Sequence, residues 1–403
     1  MPAHDTLELK LKSTNPRYLA QVLYALRFAD TAVKDLTATN GTLQVLHAAP
    51  DAAALKQKVE SILERYLVDA SALRYEPLWQ HGENTTPPHD PFDDMLMQQL
   101  VNVEGSGRVA LRGVLAELAE FIDFTVLRRI ARTLGCRREV YPGTIALNDL
   151  GNAGVFQSLP QHMQFVAHLR HDLAAIDAFS KVMKESDFSG SAPPTVPDAT
   201  LTQPEVLLNP AVCYHCYLTL RGQRVNPAGH AVTARSRCHR FEGASLKSLS
   251  RLADFDMREL VFVGSPPFVK EMRARATELT KELFVEWGLE GALVPANDPF
   301  FTEEYRAKAL MQQAQDLKHE LTVPLPDGAP LAISSFNYHM THFTAPFDIT
   351  GANGRPAASA CIGYGLERWV YAIAMRHGID EGQWPTGLKS PFDDWRKDFG
   401  NVI

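Results

Sequence analysis

The spacing of apolar and polar positions changes several times along the chain. Residues 6–12 alternate with the two-residue period of a strand that has one wet face. Residues 17–28 repeat at three and four, through Leu19, Val22, Leu23 and Leu26, and predict a helix. Asn40-Gly41 lies between two alternating runs within 31–47 and predicts a hairpin, because both central residues of such a turn need positive φ. A second helix is predicted over 51–67, with Asp51 as its N-cap. These elements make a small α+β accessory module over residues 1–75.

Residues 79–91 hold Gly82, Pro87, Pro88 and Pro91 among polar neighbours and read as part of a linker over 76–104. Beyond it, 112–134 carry one long apolar stripe ending at Gly135, a natural helix stop. Arg138 to Pro142 read as a strand closed by proline, 163–183 as a helix and 186–205 as a loop or insertion. From 206 onward short strands alternate with loops. Helices are predicted near 266–287 and 303–319, and a last one over 363–377. The fold class is therefore α+β: a mainly antiparallel sheet with helices around it, over residues 105–403.

Composition narrows the function classes. The 403 residues carry 40 Lys and Arg against 47 Asp and Glu, a formal net charge of −7. Gripping a nucleic-acid backbone calls for a basic field, so this balance argues against that task. No apolar run approaches the ~18 residues of a membrane helix. The N-terminus lacks the charged and apolar regions of a secretory signal. Five cysteines, an odd number, make no disulfide framework, and a cytoplasmic protein is expected.

Two segments carry chemistry. In Arg237-Cys-His-Arg240-Phe-Glu242, positions 240 and 242 share a face of a strand, where an exposed arginine and glutamate would ordinarily make a solvated ion pair. Arg251, Phe255 and Glu259 follow at steps of four. As a nucleotide site, Arg240 would clamp an α-phosphate and Glu242 would accept from the adenine amino group. Phe255 would stack on the base, and Arg251 would meet the terminal phosphate. The second segment runs from Ala358 to Trp369, where Gly363-x-Gly365 permits close backbone approach just before a helix bearing Arg368. His339 and His342 would hold one metal only on a helix, and Phe336 to His339 read as strand, so packing or contact with substrate or ATP is expected.

The series Arg-x-Glu, Arg-x-x-x-Phe-x-x-x-Glu and Gly-x-Gly-x-Glu-Arg resembles motifs 2 and 3 of class II aminoacyl-tRNA synthetases. The helix 112–134 and the strand ending at Pro142 are similar to motif 1, which forms that family's dimer interface. Asn209-Pro-Ala-Val-Cys213-Tyr, Phe255-Asp-Met-Arg-Glu259, Asp298-Pro-Phe-Phe301, Leu317-Lys-His-Glu320-Leu, Ser335-Phe-Asn337-Tyr-His339 and Ala360-Cys361 narrow the likeness. They resemble the zinc-dependent atypical seryl-tRNA synthetases of methanogens and, more closely, their bacterial relatives, the amino acid:[carrier protein] ligases. The likeness covers roughly residues 105–385.

The resemblance implies a Zn²⁺ held by Cys213, Glu259 and Cys361, which are 46 and 102 residues apart and fit no local finger pattern. Three ligands leave one tetrahedral position open for a substrate amine. Cys216 is the competing ligand. On a strand it would face away from Cys213, and the Pro-Ala-Val-Cys-Tyr context favours Cys213. Cys136 and Cys238 are expected to be buried apolar residues. The resemblance also implies ATP bound by Arg240, Glu242, Arg251, Phe255, Glu320 and Arg368, with Arg240 and Arg368 catalytic. Glu320, Ser335 and Asn337 would bind substrate. The acidic magnesium ligand of ordinary seryl enzymes falls here near Ala332, so Mg²⁺ would lean on Glu320, Ser335, Asn337 or the phosphates. The expected reaction activates glycine or alanine as an adenylate and passes it to the phosphopantetheine thiol of a carrier protein. The helix 303–319, with Arg306, Lys308 and Lys318, offers a basic docking face. A homodimer is expected, and tRNA and membranes are not expected as partners. The alternatives are a seryl-type tRNA synthetase and a non-catalytic paralogue.

Overall fold

The computed structural model describes residues 5–13, 16–67, 76–83, 85, 87, 89–190, 194–243, 246, 248–296 and 315–399. Near the N-terminus, β1 (Asp5–Lys10), β2 (Val33–Thr39) and β3 (Thr42–His47) form an antiparallel sheet in the order β1-β3-β2. Helices α1 (Pro16–Leu26) and α2 (Ala52–Leu67) pack beside it. The hairpin turn is where it was expected: Asn40 and Gly41 have φ of 51° and 75°. Asp51 accepts a hydrogen bond from Ala54 N at 3.0 Å, as an N-cap does. Val22, Leu26, Leu43, Val45, Leu55 and Val59 form a core separate from the main one.

The stretch 76–104 is not a plain linker. β4 (Trp79–His81) pairs antiparallel with an edge of the main sheet, and Phe92 and Met95 of α3 (Phe92–Met97) enter the main core. A three-residue strand is too short to show a period, so the surrounding prolines dominate the sequence signal. β5 (Val101–Gly105) and β6 (Arg108–Leu111) form a hairpin. The long helix is α4 (Val114–Thr125), which widens into a π-helical turn over Val126–Ala131 and stops near Gly135 at φ 70°. The predicted strand to Pro142 pairs only at β7 (Arg137–Arg138), and Val140 is 92% exposed.

β8 (Thr144–Ala146), β9 (Phe165–Val166) and β10 (Val206–Leu208) form a small sheet beside the short helices α5 (Leu147–Asn152) and α6 (Val155–Ser158). The helix expected over 163–183 begins later, as α7 (Leu173–Glu185). Asp172 caps it, accepting from Ala175 N at 2.7 Å. Cys213 opens a helix, α8 (Cys213–Thr219), so the strand argument against Cys216 does not hold. Then follow β11 (His230–His239), β12 (Asp254–Gly264), α9 (Pro266–Glu286), β13 (Gly291–Pro295), β14 (Lys318–Pro324), β15 (Pro330–Met340) and β16 (Ala358–Gly365). Helices Leu366–His377 and Thr386–Phe399 close the described chain. Residues 303–314 of the helix expected over 303–319, with Arg306 and Lys308, lie outside the described residues, as does the 298–301 motif. Lys318 and His319 open a strand instead.

Among the described residues, eight strands in the order β4-β13-β14-β15-β16-β12-β11-β7 make the main sheet, antiparallel except for the β7–β11 edge. Leu260, Phe262, Ile362 and Tyr364 point into one core with α4, α9 and the helix Leu366–His377. Arg258 ties that face to α4, donating to Asp123 at 2.6 and 2.8 Å in a buried bidentate pair. The other face carries Val261, Cys361 and α8, and the candidate site opens there.

Candidate active site and metal centre

Register builds the site. Glu259 pairs with Gly363, which pairs with Ser335, which pairs with Glu320, so four strands offer one row on one face. Cys361 pairs with Asn337 one row away, on the same face by the two-residue period. Gly363 keeps this row open: a Cβ there would lie 3.2 Å from Ser335 Oγ and 3.4 Å from Met257 Sδ.

Cys213 reaches this face from the start of α8. One ligand atom each of Cys213, Glu259 and Cys361 lies within 4.8 Å of the others, and all three residues are buried. Cys216 is also fully buried, yet stands outside this cluster. Burial and Cys361 push the Glu259 carboxyl up to about 8. The Cys213 thiol, hydrogen-bonded to Cys361, is pushed well up, while that bond holds Cys361 down. Glu259 Oε2 has no hydrogen-bond partner. Buried anionic ligands with an orphaned oxygen are costly alone and well matched to a divalent cation, and two thiolates favour zinc over magnesium. His339 Nε2 lies 3.3 Å from Cys361 Sγ, and Asn337 Nδ2 donates to the same sulfur at 3.6 Å. His339 is thus on a strand as expected, but it touches a candidate ligand, which its sequence context did not signal.

The arginine end adjoins it. β11 stops at His239, and Arg240 N still donates to Ala253 O at 2.9 Å. Arg240 and Glu242 are not partners on a wet face. Arg240 Nε donates to Pro210 O at 2.9 Å, and its guanidinium lies 5.3 Å from the Phe255 ring centroid. Glu242 is buried and accepts from Arg251 Nη1 at 2.5 Å. Burial alone would raise its carboxyl, but Arg251, His162, Arg240 and Arg368 overcome that and hold it at about 2. Arg368 donates to Ser250 O at 3.0 Å and Ala332 O at 2.9 Å. Burial and Arg251 bring it down to about 10. Glu320 is paired with Lys318 at 3.0 Å. Glu367, ahead of Arg368, accepts from Asp256 N at 2.9 and 3.0 Å, which pins the helix start to β12. Three arginines around one carboxylate favour a polyanion, and the neighbouring row can face its reaction partner.

Sequence reading missed two neighbours of this site. His162 Nε2 is 3.8 Å from Glu242 Oε1, and Tyr24 of α1 lies beneath Arg251. Neither belongs to a motif.

No protein-family model matches the chain. Among curated proteins, amino acid–[acyl-carrier-protein] ligase 2 of Bradyrhizobium diazoefficiens is 32% identical over 317 residues, spanning 76% of this chain and 89% of that protein. Ligase 1 of the same organism is 30% identical over 309 residues, with 74% and 89% covered. The type-2 serine–tRNA ligase of Methanopyrus kandleri is 26% identical, and this chain spans 57% of it. Among solved structures, the M. kandleri SerRS in complex with A. aeolicus tRNASec superposes with a TM-score of 0.70 at 22% identity, covering 98% of this chain and 78% of that one. The seryl-tRNA synthetase of Pyrococcus horikoshii complexed with ATP gives 0.58 at 14%, with 84% and 79% covered. At these identities the structural likenesses establish the class II synthetase fold.

Proposed function

The chain belongs to the amino acid–[acyl-carrier-protein] ligase family and is a ligase; on that premise we propose that it activates glycine or alanine with ATP and passes the acyl group to the phosphopantetheine thiol of a carrier protein. The observation that carries this reading is the gathering of Arg240, Arg251 and Arg368 around Glu242, beside the buried cluster of Cys213, Glu259 and Cys361.

In the first step the amino-acid carboxylate attacks the α-phosphorus of ATP and pyrophosphate leaves. The carboxylate is already a nucleophile, so no general base is needed. The residues hold it in line and stabilise the charge that develops on the phosphoryl group. Arg240 is the α-phosphate clamp and Arg368 the second cation of that pocket. Arg251 meets the terminal phosphate, Glu242 the adenine amino group and Phe255 the base. Glu320, Ser335 and Asn337 line the amino-acid end, where Mg²⁺ on the phosphates would find Glu320. Cys213, Glu259 and Cys361 would hold zinc, whose open position would take the substrate's α-amino group. In the second step the carrier thiol attacks the acyl carbonyl, and AMP leaves.

A homodimer through α4 and the segment around the exposed Val140 belongs to the same reading, and light scattering on the purified chain checks it. Among the described residues no helix is long and apolar enough to cross a membrane. The deciding experiment is ATP–pyrophosphate exchange across the amino acids, followed by acyl transfer to a holo carrier protein or to total tRNA. Exchange with glycine or alanine and acylation of the carrier are expected. Charging of tRNA alone would refute the carrier reading, and no exchange with any amino acid would refute the reaction.

A further inference from the structure

The reaction above gives the N-terminal module no task, yet the module touches the nucleotide site. Tyr24, in the last turns of α1, is 4% exposed. The Arg251 guanidinium carbon sits 4.6 Å from its ring centroid. Its hydroxyl shares a hydrogen bond of 2.8 Å with His162 Nε2, the nitrogen that lies 3.8 Å from Glu242 Oε1. Arg251 closes the circle by donating to Glu242 Oε2 at 2.5 Å. Phe28, one turn beyond, meets Phe241 edge-on at 5.9 Å. Gly243, at φ 92°, passes so close that a Cβ there would lie 3.2 Å from Arg27 Cβ. The wall beneath the two groups assigned to adenine and the terminal phosphate is therefore supplied in part by the first helix of the chain.

An arginine at a pocket rim has many rotamers, and ordering it on ATP costs conformational entropy. A ring face holds the guanidinium in place before the ligand arrives. We propose that the N-terminal module is an integral part of the nucleotide site, with Tyr24 as a positioning residue that holds Arg251 directly and Glu242 through His162. This rests on Arg251 and Glu242 being ATP ligands in the proposed reaction. These contacts of the module fall on Arg251, His162, Phe241 and Gly243, so its influence is expected on the nucleotide rather than the amino acid.

The test measures ATP and AMP binding by calorimetry on the full chain and its Tyr24→Leu and Tyr24→Phe variants, with no amino acid present. AMP lacks the terminal phosphate that Arg251 would meet. Tyr24→Leu removes the ring and should weaken ATP about tenfold and AMP about threefold or less, in keeping with the strength of a partly buried cation–π contact. Tyr24→Phe keeps the ring, loses only the hydroxyl, and should weaken ATP about threefold. Its shape is conserved, so it decides the matter even if the leucine variant does not fold. In an Arg251→Ala background Tyr24→Leu should cost ATP no more than the roughly threefold that the hydroxyl accounts for. ATP affinity unchanged in both variants, or ATP and AMP weakened equally by Tyr24→Leu, would overturn the proposal. A wild-type chain that binds ATP but activates no amino acid would refute the reaction while these affinities still judge Tyr24.

Discussion

Arg240→Ala is the most direct probe of the nucleotide site. The side chain is held in three ways: Nε donates to Pro210 O at 2.9 Å, the guanidinium lies over Phe255, and Glu242 is nearby. As an α-phosphate clamp it would contribute on the order of 2–4 kcal/mol to the transition state, as positioned charged donors do. At about 1.4 kcal/mol per factor of ten, kcat/KM for ATP should fall ~30–1000-fold. The folding cost is separate and smaller. Truncation loses one charged hydrogen bond to a carbonyl, about 1.5–3 kcal/mol. It does not strand Glu242, because Arg251 and His162 remain beside that carboxylate. The large penalty of an uncompensated buried charge therefore does not apply, and the variant should stay folded. Arg240→Lys keeps the charge but loses the planar fork, and should fall between the two. The assay is ATP–pyrophosphate exchange at saturating amino acid, with a thermal melt on the same preparations. A loss under threefold in the alanine variant would show that Arg240 serves packing alone.

Three further outcomes are expected. Elemental analysis of the purified chain should find about one zinc per molecule, and Cys361→Ala should lose both metal and exchange activity; an active, zinc-free wild-type preparation would remove the metal site. Glu242 is held at about 2 against an ordinary 4.5, a depressed folded value, so its contribution is full above 4.5 and is lost as pH falls toward 2. The difference, 4.5 minus 2, corresponds to about 3 kcal/mol. Glu242→Gln should lose melting temperature less steeply than wild type across that window, and parallel curves would refute the assignment. Glycine or alanine should support exchange while leucine is excluded by size and acetate by its missing amine; acetate as good as glycine would mean the buried cluster does not read the amine.

Local chemistry was legible without the structure. Asn40-Gly41 makes its hairpin, Asp51 caps α2 and Gly135 ends the long helix, because caps and tight turns depend on residues within a few positions of one another. The arginine and glycine motifs were legible too, since each lies within one strand, turn or helix start. The local signal failed where elements are very short or capped late. β4 was hidden among prolines, and Asp172 starts its helix ten residues after the apolar pattern begins. The 213–216 segment reads as a strand yet folds as a helix.

The site itself needed the third dimension. Resemblance named Cys213, Glu259 and Cys361, but no spacing could join them. The antiparallel register of β12 on β16 brings Glu259 and Cys361 to one face, and the start of α8 brings Cys213 over it. Whether Glu242 pairs with Arg240 or Arg251 was likewise decided by the loop after β11, which turns the carboxylate inward. Tyr24 and His162, 138 residues apart, meet only because the first module docks against the loops that carry His162 and Arg251. Contacts of that kind depend on packing between elements, which the period of a sequence does not encode.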